Sequence, residues 1–261
     1  MGYMAAVALI TGASLGFGRA VAAALAARGW TLVMDARRPA PLLAFAESLR
    51  AATTGAGGPE IAALPGDVAP PEIVAPPEIV ALAGDVADPD HRAEMAAAVH
   101  RLGRLDLLVN NASVLGPSPQ PELAGYPLGE LERVYRVNVF APLALAQLVL
   151  PQLSAAGGTI VNVSSDAAVE AYPGWGGYGS AKAALDQVSA VLGAERPGLR
   201  VYAFDPGDMR TDLHQQAFPG EDISDRPEPH TVVPALLRLL DTRPPSGRYR
   251  AADLAAASAT L

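Results

Sequence analysis

Apolar runs without polar alternation recur along the chain, separated by longer alanine-rich stretches. Such runs predict strands that are covered on both faces, because a strand with one solvated face would alternate. The predicted strands lie near Ala6–Thr11, Thr31–Ala36, Ile79–Ala83, Leu105–Asn110, Thr159–Val163 and Leu199–Phe204, and the predicted helices near Arg19–Arg28, His91–Leu102, Leu128–Leu153 and Tyr178–Gly193. Strands that alternate with helices predict βαβ units, so the expected fold class is α/β, a doubly wound parallel sheet with helices on both faces.

One stretch of the sequence is duplicated. Pro59–Ala69 recurs 18 residues later as Pro77–Ala87, which indicates a local tandem duplication around 59–87 rather than a solenoid. Only one copy can supply the third strand. We expect the second copy to do so, because it leads directly into the next helix, with Asp88 as the helix cap. The first copy is then a surface excursion within a single domain that spans 1–261.

Composition restricts the partners of the protein. The chain has a net charge of −8, which argues against a nucleic-acid partner. It has no cysteine, which excludes thiolate metal sites and fits a reducing cytoplasm, and its four histidines show no metal-ligand spacing and are expected at solvated positions. The apolar start, Met1–Ile10, lacks a basic region and predicts a buried strand rather than a secretion signal. We therefore expect a cytoplasmic protein with no membrane and no metal.

A glycine-rich turn directly follows the first predicted strand and opens a helix. The glycines of Thr11–Gly18 permit a tight turn and a close approach of the backbone to a pyrophosphate, which the helix N-terminus stabilises. The same residues match the G-x-S-x-G turn of serine hydrolases, with Ser14 as the nucleophile. That turn belongs after several central strands, whereas this one follows the first strand. A dinucleotide site is therefore favoured, and the hydrolase stays as a rival hypothesis.

A second group of polar residues follows the fifth predicted strand. Tyr178 and Lys182 stand four residues apart on a predicted helix and therefore share one face. An ammonium beside a phenol lowers the pKa of the phenol, which can then act as an acid or a base. Ser165, at a strand end, can bind a substrate oxygen. A bare Tyr-x-x-x-Lys pattern is more often a surface pair, but Lys182 is the single lysine among 19 basic residues. An amine that can shift its pKa is useful at this position.

With both motifs in the expected order, the chain resembles the short-chain dehydrogenase/reductase family in its single-domain branch. Thr11–Gly18 resembles the cofactor turn of that family. Asn110–Ser113 is similar to its Asn-Asn-Ala-Gly sequence, with Ser113 in place of the glycine. The positions that match the catalytic tetrad are Asn138, Ser165, Tyr178 and Lys182. The resemblance implies a Rossmann-type sheet of about seven strands, the last near Gly247–Ala251, and commonly a homotetramer.

The resemblance also implies roles for these residues. Tyr178 would exchange a proton with the substrate oxygen while a hydride moves to or from the nicotinamide. Lys182 would bind the nicotinamide ribose, Ser165 would hold the substrate oxygen, and Asn138 would help to seat a water in a proton relay. Asp85 would accept a hydrogen bond from the adenine amino group. The residues expected to bind the cofactor are Gly12, Ser14, Leu15, Gly16, Phe17, Gly18, Arg37, Arg38, Asp85, Val86, Asn111, Ala112, Tyr178, Lys182, Pro206, Gly207 and Thr211.

The end of the second strand bears on which dinucleotide binds. Ala36 stands at the position that is acidic in NAD-binding members, and Arg37 follows it, where a guanidinium can pair with a 2′-phosphate. Asp35 is expected to point to the opposite face of the strand. Leu15 argues against NADP(H), because it occupies a turn position where many NADP-binding members have a second basic residue. Arg37 outweighs it, and NADP(H) is favoured over NAD(H).

The expected activity is an NAD(P)(H)-dependent oxidoreductase that interconverts a carbonyl and a secondary alcohol. A dinucleotide-sensing protein of the same fold without turnover is the alternative. Two segments are expected to line the pocket of the small-molecule substrate, namely Ser113–Leu128 and Asp208–His230, with a lid at 208–230. The candidate apolar side chains of that pocket are Leu115, Tyr172, Trp175, Met209, Leu213 and Phe218.

Overall fold

A single parallel sheet organises the protein. The computed structural model describes residues 5–55 and 77–256. The sheet has seven strands in the order β3-β2-β1-β4-β5-β6-β7, and all neighbouring strands pair in parallel. The strands are β1 Val7–Ile10, β2 Thr31–Ala36, β3 Ile79–Ala83, β4 Leu107–Asn110, β5 Thr159–Val163, β6 Arg200–Asp205 and β7 Gly247–Arg250. The doubly wound fold predicted from the apolar runs is confirmed.

Helices cover both faces of this sheet. They are α1 Gly16–Ala27, α2 Pro39–Gly55, α3 Pro89–Leu102, α4 Leu128–Tyr135, α5 Ala141–Ala156, α6 Gly176–Glu195, α7 Asp212–Ala217, α8 Pro229–Thr242 and α9 Ala251–Ala256. One buried cluster joins α1, α2 and α8 to one face, and a second joins α3 and α5 to the other. Burial on both faces explains why the strands show no polar alternation.

The second copy of the duplicated segment supplies β3. The side chain of Asp88 caps α3 by accepting a hydrogen bond from the Asp90 amide at 3.0 Å, as its position before Pro89 predicts. The first copy, Pro59–Ala69, lies outside the described residues. The chain therefore enters the sheet at the copy that is joined directly to α3.

Several helices differ from the sequence prediction. The sequence did not predict α2 and α8, whose prolines near their first turns resemble loop residues, although proline is tolerated there. The predicted helix Leu128–Leu153 is interrupted by a π turn at Arg136–Phe140, which separates α4 from α5. A π turn leaves the apolar pattern of a helix almost intact and frequently occurs at functional sites.

The stretch Leu128–Ala156, which comprises α4, the π turn and α5, is long and apolar enough to cross a membrane by length and composition alone. No other helix in residues 5–55 and 77–256 meets that test. Its apolar side chains Leu145, Val149 and Leu153 are buried in the cluster between α5 and the sheet. Packing within the fold therefore accounts for the apolar character of that face.

The site position follows from the strand order. The chain runs outward from β1 to β3 on one side and from β4 to β7 on the other, so the direction of winding reverses between β1 and β4. In open parallel sheets a crevice forms at such a reversal, beyond the carboxyl ends of the strands. The turns that follow β1, β4, β5 and β6 all reach this edge.

Candidate active site

A cleft of about 1170 Å³ lies along the carboxyl edge of the sheet. It brings together most of the residues that the sequence singled out, from the end of β2 to the face of α6. The predicted site residues that line it are Gly12, Ser14, Leu15, Gly16, Phe17, Arg37, Arg38, Asp85, Val86, Asn111, Ala112, Ser165, Tyr178, Lys182, Pro206, Gly207 and Thr211. Gly18 and Asn138 do not line the cleft.

The glycine turn between β1 and α1 is tied to the end of β4. Gly12 and Gly16 have φ values of 65° and 55°, which L side chains rarely adopt. A Cβ atom at Gly12 would lie 2.9 Å from Nδ2 of Asn111, so the close approach also requires glycine. The hydroxyl of Thr11 accepts hydrogen bonds from the amides of Asn111 and Ala112, each at 3.0 Å. Thr11 thereby fixes the turn against β4, a role that the sequence did not reveal.

Two residues of the turn have packing roles. A Cβ atom at Gly18 would lie 2.4 Å from Nδ2 of Asn111, so this glycine permits α1 to approach β4. The ring of Phe17 is buried and stacks on Phe204, with the ring centroids 5.9 Å apart. These contacts orient α1 with its N-terminus toward the cleft, where backbone amides are available to an anion.

Asn138 lies in the π turn and is buried outside the cleft. Its Nδ2 atom donates to the Val114 carbonyl, and its Oδ1 atom accepts from the Val114 amide, both at 2.9 Å. The Ser113 hydroxyl also donates to Oδ1 at 3.3 Å. Asn138 therefore holds the segment after β4 along the floor of the cleft, which is a contact that the sequence did not predict.

Tyr178 and Lys182 are buried on one face of α6 at the base of the cleft, with 6% and 2% of their surfaces exposed. The Lys182 ammonium donates a 2.7 Å hydrogen bond to the Val163 carbonyl and lies 5.5 Å from the centre of the Tyr178 ring. Burial lowers the pKa of Lys182 to about 8. Both side chains are therefore held inside the protein rather than forming a surface pair.

The predicted lowering of the Tyr178 pKa is wrong for this structure. Burial raises the pKa of Tyr178, an effect that the Ser113 hydroxyl opposes by hydrogen bonding and that the charges of Asp166 and Asp205 reinforce. The physical reason is desolvation of the phenolate, which outweighs any effect of the lysine charge. Tyr178 is therefore a neutral phenol at physiological pH in this structure.

Ser165 follows β5 and faces the cleft beside Tyr178. Its hydroxyl donates to Oδ1 of Asp166 at 2.9 Å and accepts from the Ala167 amide at 3.2 Å. The other carboxylate oxygen of Asp166 accepts from the Tyr172 hydroxyl at 3.1 Å. The Ser165 hydroxyl is thus oriented by a short turn, and Asp166 is a residue of the cleft that the sequence did not single out.

The opposite end of the cleft contains charged residues at the ends of β2 and β3. Arg37 and Arg38 are exposed there, and Arg38 lies 3.8 Å from the carboxylate of Asp212. Asp85 follows β3 and accepts a hydrogen bond from the Ala87 amide at 2.8 Å, which leaves its second carboxylate oxygen free of this turn. A positive and a negative group therefore border the same end of the cleft.

Asp35 points toward α3, as the sequence predicts, and forms a buried pair with His91. The two side chains meet at 2.7 Å, and the hydrogen bond to Asp35 raises the pKa of His91, while burial raises the pKa of Asp35. The expectation that every histidine is solvated is therefore wrong, since His214 is buried as well. Among the described residues, no cluster of three or more His, Asp or Glu side chains could hold a metal ion.

The side of the cleft near Tyr178 is apolar. Leu115 packs with Tyr178 in a small buried cluster, against which Trp175, Leu213 and Ala217 lie. Trp175 stands edge-on to Tyr178, with the ring centroids 5.9 Å apart, and lies at the same distance from the ring of Phe218. Several of the predicted pocket side chains are therefore brought together around the tyrosine, whereas Tyr172 lies further out and is exposed.

The parallel sheet, and the cleft with buried Tyr178 and Lys182 at its base, match the family that the sequence resembles, and comparison with known proteins agrees. A family profile described as short chain dehydrogenase matches residues 6–76 and 72–222. The chain therefore belongs to the short-chain dehydrogenase family, and it is an oxidoreductase. This membership removes the support for a serine hydrolase that uses Ser14.

Particular relatives span most of the chain. It is similar to sepiapterin reductase from Mus musculus, with 32% identity over 81% of this chain and 77% of that protein. It resembles a short-chain dehydrogenase from Salmonella enterica, with a TM-score of 0.80, 26% identity and coverage of 95% of this chain and 96% of the other. An alcohol dehydrogenase from Thermococcus sibiricus, solved with 5-hydroxy-NADP, gives a TM-score of 0.77, 25% identity and coverage of 94% and 95%.

Proposed function

We propose that this protein is an NAD(P)(H)-dependent oxidoreductase that interconverts a carbonyl and a secondary alcohol, with Tyr178 as the general acid and base. The observation that carries the proposal is the burial of Tyr178 and Lys182 on one face of α6, at the base of the cleft and beside Ser165. A surface pair with no chemical role would be solvated. A buried lysine with a lowered pKa is a costly feature, and such features concentrate at functional sites.

The residues of the cleft fit a dinucleotide. Gly12 and Gly16 have positive φ values, and a Cβ atom at Gly12 would collide with Asn111, so the backbone of the turn lies close to β4 before the α1 N-terminus. Such a turn can hold a pyrophosphate against backbone amides. Asn111 and Ala112 would border the middle of the cofactor, and Pro206, Gly207 and Thr211 its nicotinamide end. When bound, the cofactor supplies the hydride that the side chains of this chain cannot supply.

NADP(H) is our proposal for the preferred dinucleotide. Arg37 is exposed at the end of β2, and the residue before it is Ala36 rather than an acidic residue. A 2′-phosphate can therefore approach the Arg37 guanidinium without repulsion. Arg38 stands beside it, paired loosely with Asp212. The related alcohol dehydrogenase from Thermococcus sibiricus was solved with an NADP derivative, which supports the proposal.

Tyr178 would act first as an acid. Burial favours its neutral form, so it can donate the phenolic proton to a carbonyl oxygen as that oxygen gains negative charge. The Ser165 hydroxyl can donate to the same oxygen once it turns from Asp166, and the Ser113 hydroxyl can stabilise the remaining phenolate once it turns from Asn138. Lys182 would bind the nicotinamide ribose and supply positive charge beside Tyr178.

The substrate proposal follows from the apolar side chains around Tyr178. Leu115, Trp175 and Leu213 favour a ketone or secondary alcohol with an apolar substituent, closed in by a lid at 208–230.

We propose one domain over 1–261, with the duplicated insertion around 59–87. Phe140 and Leu148 expose apolar surface on and beside α5, which supports a homo-oligomer, and we propose a cytoplasmic protein without a membrane or nucleic-acid partner.

A turnover screen tests the proposed function. The full chain is incubated with NADPH or NADH and a panel of ketones and aldehydes, and with NADP⁺ or NAD⁺ and the matching alcohols, while cofactor absorbance is followed. We expect turnover with one dinucleotide and an apolar ketone. Tight dinucleotide binding with no turnover on any substrate would instead indicate a sensing protein.

A further inference from the structure

Arg248 on β7 connects three segments of the active site through one guanidinium group. Its Nη2 atom donates to the Ser165 carbonyl and to Oδ2 of Asp205, each at 2.9 Å. Its Nε atom donates to Oδ2 of Asp186 at 3.0 Å. These acceptors belong to the turn after β5, the end of β6 and the middle of α6. No other arginine in the described residues binds both a carboxylate at the end of β6 and one on α6.

The Asp205 contact reaches the turn that would border the nicotinamide. Asp205 is buried at the end of β6, and its Oδ1 atom accepts a 3.0 Å hydrogen bond from the Gly207 amide. Its other oxygen binds Arg248. One carboxylate thus joins the guanidinium to the Pro206–Gly207 turn, so a shift of Arg248 would be transmitted to that turn.

The Asp186 contact reaches the catalytic helix. Asp186 lies one helical turn after Lys182 on α6, and its charge raises the pKa of Lys182 against the effect of burial. Arg248 holds that carboxylate in place from β7, and the side chains of Arg248 and Asp186 are only 25% and 15% exposed. Charge-assisted hydrogen bonds with this degree of burial are screened less than those of exposed pairs.

We propose that Arg248 is a positioning residue of the active site, which fixes Ser165, the helix face of Lys182 and the Pro206–Gly207 turn relative to one another. This inference rests on the proposed function, because it requires that Tyr178, Lys182 and Ser165 carry the reaction. A planar guanidinium can donate to three acceptors at once, whereas a lysine ammonium on a flexible stem holds them less well.

Arg248 also pairs with one of the carboxylates whose charge acts on Tyr178. The carboxylates near this centre are Asp166 beside Ser165, Asp186 on α6 and Asp205 on β6, and the cations are Lys182 and Arg248. Asp166 and Asp205 both favour the neutral phenol. Removal of the guanidinium would leave Asp205 unpaired, so the phenolate would form only at higher pH.

Three variants test the inference, namely Arg248→Ala, Arg248→Lys and the control Arg250→Ala. Arg250 lies on the same strand, but it is exposed and pairs only with Asp253 among its described salt-bridge partners. For each variant, kcat, KM, the dinucleotide Kd, the pH profile of alcohol oxidation and the melting temperature are measured. Arg248→Ala is measured again with millimolar guanidinium chloride in the buffer.

We expect Arg248→Ala to lower kcat by about 10- to 100-fold, because small displacements of reacting groups have effects of this size. The rise of its oxidation rate with pH should move to higher pH, because the phenolate that accepts the alcohol proton forms later, and guanidinium should restore part of kcat. Arg248→Lys should keep the profile of the wild type with a lower kcat, and Arg250→Ala should match the wild type.

Three results would overturn the inference while the wild type remains active. They are a wild-type kcat in Arg248→Ala, a wild-type kcat in Arg248→Lys, or a loss that follows melting temperature alone with an unchanged pH profile. If Arg248→Ala does not fold, Arg248→Lys decides the question. A wild-type protein without turnover would instead contradict the proposed function itself.

Discussion

The Lys182 ammonium lies 5.5 Å from the centre of the Tyr178 ring, and both side chains are buried on the same face of α6. The Lys182 ammonium donates a hydrogen bond to the Val163 carbonyl at 2.7 Å. Burial acts on the two groups in opposite directions, since it lowers the pKa of the amine and raises that of the phenol. Each group is therefore shifted toward its neutral form, which has consequences for stability as well as for chemistry.

The first prediction concerns the stability cost of Lys182. Its folded-state pKa of about 8 lies below the usual lysine pKa of 10.5, so the unfolded chain binds this proton more tightly. We expect Lys182→Met to raise the free energy of unfolding by about 1–2 kcal/mol below pH 8, after allowance for the lost hydrogen bond. Between pH 8 and 10.5 the folded wild type releases the proton first, so its own stability rises and the gain of the variant shrinks.

Denaturant titrations of the cofactor-free proteins at several pH values measure this effect. A difference between variant and wild type that stays constant from pH 7 to pH 10 would contradict the burial of a shifted amine. Activity of Lys182→Met should be lost even though the protein is more stable, as expected when stability and function compete at one residue.

The second prediction concerns the dinucleotide. Arg37→Ala should weaken NADPH binding by about 10- to 100-fold, because a charge-assisted bond to the 2′-phosphate is lost, and should change NADH binding little. Titration of both cofactors into the wild type and the variant measures it. Arg101→Ala, an exposed arginine on α3, serves as the control. Equal losses for both cofactors would mean that Arg37 does not bind the phosphate.

The third prediction compares the two copies of the duplicated segment. Asp85 follows β3 and lines the cleft, whereas Asp67, its counterpart in the first copy, lies outside the described residues. Asp85→Ala should weaken dinucleotide binding by about tenfold, the size expected for one hydrogen bond, and Asp67→Ala should leave it nearly unchanged. Calorimetry on both variants measures this, and the reverse pattern would assign the adenine contact to the first copy.

The fourth prediction concerns Ser113, which stands where the family has glycine. Its hydroxyl lies 3.3 Å from Oδ1 of Asn138, and a hydrogen bond that it donates instead to the phenolic oxygen lowers the pKa of Tyr178 against the effect of burial. Ser113→Gly should therefore move the rise of alcohol oxidation with pH to higher pH and lower its rate at neutral pH by about 2- to 10-fold. Ser154→Gly, at an exposed position of α5 that does not line the cleft, is the control. An unchanged pH profile in Ser113→Gly would show that the hydroxyl does not act on Tyr178.

The sheet and the main site residues could be predicted from the sequence because their signals are local. Six strands appear as apolar runs, and the position of Asp88 before Pro89 identified which copy forms β3. Tyr178 and Lys182 were found through helical spacing and through the presence of a lysine in an arginine-rich chain. Patterns of this kind survive in a sequence because they are set by neighbours along the chain.

The features that the sequence did not reveal depend on distant neighbours. Arg248 alternates with Tyr249 and Arg250 in a strand that resembles an exposed edge, and its partners Asp186 and Asp205 lie 62 and 43 residues away. His91 is buried by a partner 56 residues away. The direction of the Tyr178 pKa shift was wrong because helical spacing gives the lysine neighbour but not the depth of burial.

The replacement of Tyr178 by Phe tests the central claim most directly, because it keeps the ring and removes only the transferable proton. Ketone reduction by the wild type and by Tyr178→Phe is compared at saturating cofactor, with the dinucleotide Kd measured separately. We predict that kcat falls by about 10²–10⁴-fold, the usual contribution of a positioned acid, while the Kd changes by less than about threefold. Reduction of the ketone by Tyr178→Phe at nearly the wild-type rate would contradict the assignment of Tyr178 as the proton donor.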